Sequence, residues 1–191
     1  YPSYAANADY TAIVNTRHYE RLAALLADAQ AKGARVVTLN PGNEAPVRAS
    51  RKMLPTLILG ATASMKVMQE EIFGPLLPVE AYGTLDDAIA KINARPHPLA
   101  FYYFGRDGAR CGKVLAETIA GGVTVNDTLW HFAHEALPFG GVGASGMGAY
   151  HGSHSFDTFS HRKSVLMKPL KMDPPIMYPP YDGLKAKLLK L

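Results

Sequence analysis

The sequence predicts an α/β fold in which parallel strands alternate with helices packed on the sheet faces. Three observations carry that reading. Between Leu76 and Val125 the chain runs strand, helix, strand, helix, strand with short connections, and parallel strands need crossovers of this kind. Each of the two intervening segments repeats apolar residues at helical spacing. The chain has 191 residues, 48% apolar and 19% charged, which suits about one domain with a real core and excludes disorder for most of its length.

Taken in order, Tyr19, Leu22, Ala23 and Leu26 fall at i, i+3, i+4 and i+7, with Asn15 or Thr16 as cap and Gly33 behind, predicting an amphipathic helix. Val36 to Leu39 reads as a short strand, Asn40-Pro41-Gly42-Asn43 as a breaker, and Leu54 to Leu59 as a second strand. Leu76 to Tyr82 is the next strand. Thr84 can cap a helix with Asp86 and Asp87 in its first turn and Leu85, Ala88, Ile89 and Ile92 on one apolar face, an arrangement that suits the helix dipole. Leu99 to Phe104 is a nearly continuous apolar strand. Asp107 can cap a further helix carrying Cys111, Val114, Leu115 and Thr118, which Gly121-Gly122 ends before the strand Val123 to Val125. Ligands of such sheets gather beyond the carboxyl ends of the strands, which directs attention to the loop opened by Asn126. Beyond it, Pro138 to Gly152 is glycine-dense without helical period, and the last twenty-odd residues, with Pro174-Pro175 and Pro179-Pro180, read as extended and peripheral.

Charge and composition exclude several classes of partner. The net charge is +4, yet Arg162 to Leu191 hold seven Lys/Arg against two Asp/Glu, which leaves residues 1 to 161 near minus one. A near-neutral body without a basic stripe argues against nucleic acid. No run of about 18 apolar residues exists, and Tyr1-Pro2-Ser3-Tyr4 lacks a signal pattern, so no membrane partner is expected. The single cysteine, Cys111, excludes an internal disulfide and a thiolate zinc cage and fits a reducing, cytoplasmic location. The chain opens at Tyr1 without an initiator methionine, which leaves open a longer parent.

Several motifs lose their functional reading on context. Gly141-Val142-Gly143-Ala144-Ser145-Gly146 spells G-x-G-x-x-G, but no strand precedes it and no helix or spaced acid follows, so it reads as a tight glycine loop rather than a dinucleotide cradle. His131-x-x-His134 and His151-x-x-His154 have a spacing seen at zinc sites; without thiolates they read as hydrogen-bonded loop histidines, and no metal is expected. Cys111 falls on an apolar helix face and is expected buried and structural, not nucleophilic. Asn126-Asp127-Thr128 matches a glycosylation sequon by accident. Gln69-Glu70-Glu71-Ile72-Phe73-Gly74-Pro75 differs in kind: a carboxylate and a ring two residues apart, set by Gly-Pro before a buried strand, could accept a diol and wall a heterocycle. The same pattern also describes surface acids beside a packed phenylalanine.

Five segments together carry a resemblance. Glu70 to Pro75, Leu85-Asp86-Asp87-Ala88-Ile89, Gly121 to Asp127, Pro138 to Gly148 and Ser155-Phe156-Asp157-Thr158-Phe159-Ser160-His161 resemble the C-terminal half of the NAD(P)-dependent aldehyde dehydrogenases. Asn126-Asp127, Tyr150-His151-Gly152 and the Tyr178-Pro179-Pro180 tail are similar to the class-3-like branch. The likeness spans nearly the whole chain, in order. It implies a three-layer parallel-sheet catalytic domain, partial over residues 1–161, with an oligomerisation strand and a basic, Pro-rich tail over residues 162–191.

The resemblance also implies functions for named residues. Glu71 matches the family's acid on the nicotinamide ribose, Phe73 the aromatic that flanks the nicotinamide, and Phe139 an aromatic of the substrate tunnel; Trp130, His131 and His134 could line the same mouth without a family role. The implied activity is oxidation of aromatic or medium-chain aldehydes to carboxylic acids with NAD or NADP, in an enzyme that is a homo-oligomer, dimeric in the parent. Family chemistry uses a cysteine thiolate to attack the aldehyde and a glutamate to activate water. Neither group, nor the oxyanion-hole asparagine, matches a position of this chain, so no catalytic residue is assigned and the chain alone is expected to be inactive. The rival expectation is a non-enzymatic assembly module that self-associates through an exposed edge at Ser164-Val165-Leu166-Met167-Lys168.

Overall fold

The computed structural model describes residues 3–188 and shows a mixed α/β chain of two compact units, divided between Ile92 and Asn93. The sequence readings at Tyr1-Pro2 and over the last three tail residues lie outside the described residues.

In the first unit, helix α1 (Thr16–Ala31) starts where the Asn15 side chain accepts the His18 amide at 3.0 Å, satisfying one of the helix's four free N–H groups. It ends at Lys32, and Gly33 follows at φ 92°, a left-handed conformation that costs glycine little. Strand β1 (Arg35–Thr38) then runs antiparallel to β2 (Thr56–Leu59), which pairs in parallel with β3 (Leu76–Val79), giving the order β1-β2-β3. Leu22, Leu25 and Ala29 of α1 form a core with Ile58 of β2, Leu76 of β3, and Met65 and Val67 of the β2–β3 connection. Along β2, Thr56 and Ile58 are buried and their neighbours less so, as the two-residue period of a strand requires. The buried stripe of α1 uses Leu25 and Ala29 in place of the expected Tyr19, Ala23 and Leu26, which are half-buried. Residues 22 to 26 are all apolar, so periodicity by itself could not choose among overlapping stripes. Helix α2 (Leu85–Asn93) opens as expected: the Asp87 amide donates to Thr84 Oγ1 at 3.2 Å, and the Thr84 amide donates to Asp87 Oδ2 at 3.1 Å, a reciprocal cap.

In the second unit, β4 (Ala100–Tyr103), α3 (Gly108–Glu117) and β5 (Gly122–Val125) form a βαβ crossover with the two strands parallel. Asp107 caps α3 by accepting the amides of Ala109 and Arg110 at 2.9 and 3.1 Å. Val114 alone is buried on α3; Cys111, expected to be buried, is only half-buried. A two-stranded sheet is too narrow to cover more than one stripe of the helix.

Two further expectations change. The sequence reading ran β3, β4 and β5 as one parallel series, whereas β3 bonds to β2 and β4 to β5, in separate sheets; hydrophobic period identifies a strand but does not choose its partner edge. Ser164 to Lys168 forms no strand among the described residues. After β5 the chain makes two short helices that flank the glycine-dense stretch Pro138 to Gly152, α4 (Trp130–Ala133) before it and α5 (Gly152–Thr158) at its end, and a last one, α6 (Gly183–Leu188), in the tail. Helices of one or two turns leave too few residues for a 3.6-residue period to be read.

Candidate functional site

The loop 69–75 sits between a 3₁₀ turn at Lys66–Met68 and strand β3. Gly74 lies where the loop crosses α1: a Cβ there would meet Leu22 Cδ1 at 2.5 Å, and Leu22 is fully buried. Phe73, one residue earlier, has φ 47° and is 80% exposed. A non-glycine residue in the left-handed region stores about 1–3 kcal/mol of strain and persists only where its surroundings impose it. Arg21 of α1 supplies part of that constraint. Its guanidinium donates from Nη1 to the Glu71 carbonyl at 2.9 Å and from Nη2 to the Ile72 carbonyl at 2.5 Å, a fork whose rigid geometry suits two acceptors at once.

Arg21 takes the backbone of Glu71 and Ile72 and leaves the Glu71 carboxylate and the Phe73 ring out of the clamp. They line one cleft of about 1070 Å³ together with Tyr10, Ile13, His18, Arg21 and Met53. Its far wall is fixed by the Tyr10 hydroxyl donating to the Met53 carbonyl at 2.6 Å and by Ile13 exchanging bonds with Arg51, backbone amide to carbonyl at 2.9 Å and guanidinium Nε to the Ile13 carbonyl at 3.0 Å. Burial first, and the neighbouring Tyr4 second, hold the Tyr10 phenol above its ordinary range. The two residues named from the hexapeptide are thus brought together, on a mostly apolar cleft that a carboxylate helps to line. Arg21 was not singled out by the sequence; a cation next to the buried stripe of a helix looks like any solvated residue.

Phe139 belongs to the second unit. Its backbone exchanges two hydrogen bonds with Tyr150, at 2.9 and 3.0 Å, an isolated antiparallel bridge. Its ring stacks on His151 at 5.8 Å and meets Tyr150 edge-on at 5.5 Å. With Leu99, Met147 and Phe159 it lines a hollow of about 540 Å³ floored by the glycine loop. That loop contains a 3₁₀ turn at Gly143–Ser145, and its Gly140 and Gly141 pack backbone on backbone: added Cβ atoms would meet the Gly148 and Ser145 carbonyls at 2.0 and 2.1 Å. The Val142 amide is taken by Ser145 Oγ at 2.9 Å and the Gly146 amide by the Gly143 carbonyl, so these groups hold the turn instead of facing a phosphate, in agreement with the tight-loop reading. Of the residues named for the mouth, Trp130 is 65% exposed and His131 is buried. No three His, Cys, Asp or Glu side chains converge among the described residues.

The sequence pattern of the Aldehyde dehydrogenase family matches residues 2–165. The chain is 51% identical to the probable coniferyl aldehyde dehydrogenase of Caulobacter vibrioides over 98% of its own length and 40% of that protein's. It is 46% identical to aldehyde dehydrogenase family 3 member A2 of Mus musculus, over 97% and 37% of the two chains. Among solved structures it is similar to the substrate-bound state of Staphylococcus aureus AldH, with a TM-score of 0.75 and 46% identity over 95% of this chain and 38% of that one. The NAD-dependent aldehyde dehydrogenase of Sinorhizobium meliloti gives a TM-score of 0.74 and 27% identity over 85% and 32%. The chain therefore spans about two fifths of the length of the relatives it matches.

Proposed function

The chain belongs to the aldehyde dehydrogenase family, and on that premise we propose that it is the C-terminal part of an enzyme that oxidises aldehydes, coniferyl or other aromatic and medium-chain ones among them, to carboxylic acids with NAD or NADP. The observation that carries the reading is the Arg21-clamped loop, which turns the Glu71 carboxylate and the exposed Phe73 ring toward one cleft. A carboxylate can accept from two vicinal hydroxyls at once, and an exposed ring offers a flat face to a heterocycle, so the donor set fits a nicotinamide riboside. When bound, that cofactor supplies a hydride acceptor. What this chain contributes is orientation: Glu71 holds the ribose, Phe73 limits rotation of the ring, and Phe139 offers an aromatic wall to the aldehyde. Residues 1–161 then form part of the catalytic domain and residues 162–191 an oligomerisation segment and tail in a cytoplasmic homodimer.

The test is oxidation of aromatic aldehydes by the complete gene product, followed through reduced nicotinamide. Turnover is expected there and none from the 191-residue chain alone, because no thiolate is placed to attack the carbonyl; Cys111→Ser should leave the complete product unchanged. Turnover by the isolated chain that Cys111→Ser abolishes would overturn the assignment.

A second reading, an assembly module without catalysis, is favoured by one observation: Leu166, Met167 and Leu170 are 94%, 87% and 101% exposed in a stretch that pairs with no strand among the described residues. Contiguous exposed apolar surface of this kind marks an interaction site. A complete product that assembles through this segment and oxidises no aldehyde would favour that reading over the first.

A further inference from the structure

Resting on the reading of Phe139 as an aldehyde-facing wall, we propose that His131 is a positioning residue: it ties α4 to strand β5 at Thr124, sets the Phe139 ring, and so decides how well bulky planar aldehydes are accepted relative to small ones. His131 is 7% exposed, and its surroundings include the rings of Tyr102 and Phe139 at 5.9 and 6.2 Å. Burial of a polar ring among aromatic groups is unfavourable unless hydrogen bonds compensate. The compensation comes from a single side chain. Thr124 Oγ1 accepts the His131 backbone amide at 3.2 Å and lies 2.9 Å from Nδ1. Oγ1 has one hydrogen and two lone pairs, so it can meet Nδ1 as donor or acceptor while it holds the backbone amide. Nε2 is buried without a partner among the described residues. An apolar side chain of similar volume would avoid that cost but would lose the ring's bond to Thr124, leaving only the backbone amide on Oγ1.

The link matters because α4 cannot hold itself. It has four residues, and Leu129 before it stands at φ 67° with no side-chain cap, far short of a self-supporting helix. Gly122 at the head of β5 makes the room: a Cβ there would lie 2.4 Å from His131 Cδ2, so the glycine that reads as a helix stop in the sequence also admits the imidazole. On the Phe139 side, both backbone hydrogen-bonding groups are committed to Tyr150, so its remaining freedom is in the side chain. His131, Phe132 at 5.5 Å and His151 at 5.8 Å surround that ring. Thr124 bonds His131, whose ring meets Phe139, which makes the hydroxyl a point of perturbation outside the hollow's own lining.

The experiment compares cinnamaldehyde with propanal as substrates of the complete gene product carrying Thr124→Val, Thr124→Ser, His131→Leu or Phe139→Ala. The valine and leucine variants are expected to raise KM for cinnamaldehyde about tenfold, the scale of discrimination an apolar pocket achieves, with kcat and the propanal KM within about twofold of wild type. Thr124→Ser keeps the hydroxyl and should match wild type, and Phe139→Ala should reproduce the loss for cinnamaldehyde. Equal losses for both aldehydes, or no change in Thr124→Val while Phe139→Ala is impaired, would reduce His131 to packing and overturn the proposal. If Phe139→Ala leaves cinnamaldehyde unaffected, the wall reading itself falls and takes the proposal with it. Should His131→Leu fail to fold, the Thr124 valine and serine pair decides the matter.

Discussion

Replacing Arg21 by methionine should release the loop that carries Glu71 and Phe73 while leaving the core beneath it intact. The guanidinium makes two bonds, to the Glu71 and Ile72 carbonyls. A hydrogen bond to a charged group contributes about 1.5–3 kcal/mol. Arg21 is only half-buried, so water replaces part of what is lost, and about 2 kcal/mol for the pair is a reasonable estimate. Opposing it is the strain of Phe73 at φ 47°, about 1–3 kcal/mol. The two are of similar size, so without Arg21 the observed loop should become one of several conformers. Two kcal/mol corresponds to about a 30-fold change in an equilibrium constant, and a ligand that needs the ordered loop loses apparent affinity by up to that factor as the competent fraction falls. In the complete gene product, fluorescence titration with the reduced cofactor should therefore show a dissociation constant raised by about tenfold or more, with a small change in Tm. Arg21→Lys keeps the charge but not the fork and should fall between. A cofactor affinity within about twofold of wild type, accompanied by a large fall in Tm, would refute this account and leave Gly74 packing on Leu22 as what holds the loop.

Three other outcomes follow from the same structure. Glu71→Gln in the complete product should weaken cofactor binding by about tenfold through loss of charge-assisted bonds to the ribose, whereas Glu70→Gln should not; kinetics at limiting and saturating cofactor separate the two, and the reverse ranking would sink the residue assignment. Gly74→Ala forces a Cβ to within 2.5 Å of the fully buried Leu22 and should cost about 1–3 kcal/mol by overpacking, read as a lowered denaturation midpoint; an unchanged midpoint would mean that Leu22 can yield. The Glu44 carboxyl is held below the usual carboxylate range by the Tyr4 amide first, then by the Ser3 hydroxyl and the Ala5 amide. A lowered folded-state pKa gives stability that is complete above the ordinary carboxylate range and lost as pH falls through the folded value. The protection of the Tyr4 and Ala5 amides, relative to intrinsic exchange at the same pH, should therefore fall on acidification below the ordinary carboxylate range, and Glu44→Gln should abolish that fall.

What the sequence by itself determined is local. Asn15, Thr84 and Asp107 announce helix starts because a cap needs only the next three residues, and the α3 crossover between β4 and β5 is legible because two strands and one helix each carry their own period. The hexapeptide around Glu71 and Phe73 and the glycine loop behind Phe139 are likewise visible as linear motifs, and with three further segments they carry the family resemblance. What only the tertiary structure decided is which surfaces meet. Arg21 reaches its two carbonyls across 50 and 51 residues, β3 takes β2 as its neighbour and not β4, and Gly74 and Gly122 must be small because Leu22 and His131 occupy the space a side chain would need. His131 shows the boundary most sharply. In the sequence it is one of two spaced histidines in a loop; in the fold it is buried against Thr124 and Phe139. Periodicity reports which face of an element is apolar, but the identity of the group that covers that face is fixed by chain closure over long separations, which no local spacing encodes.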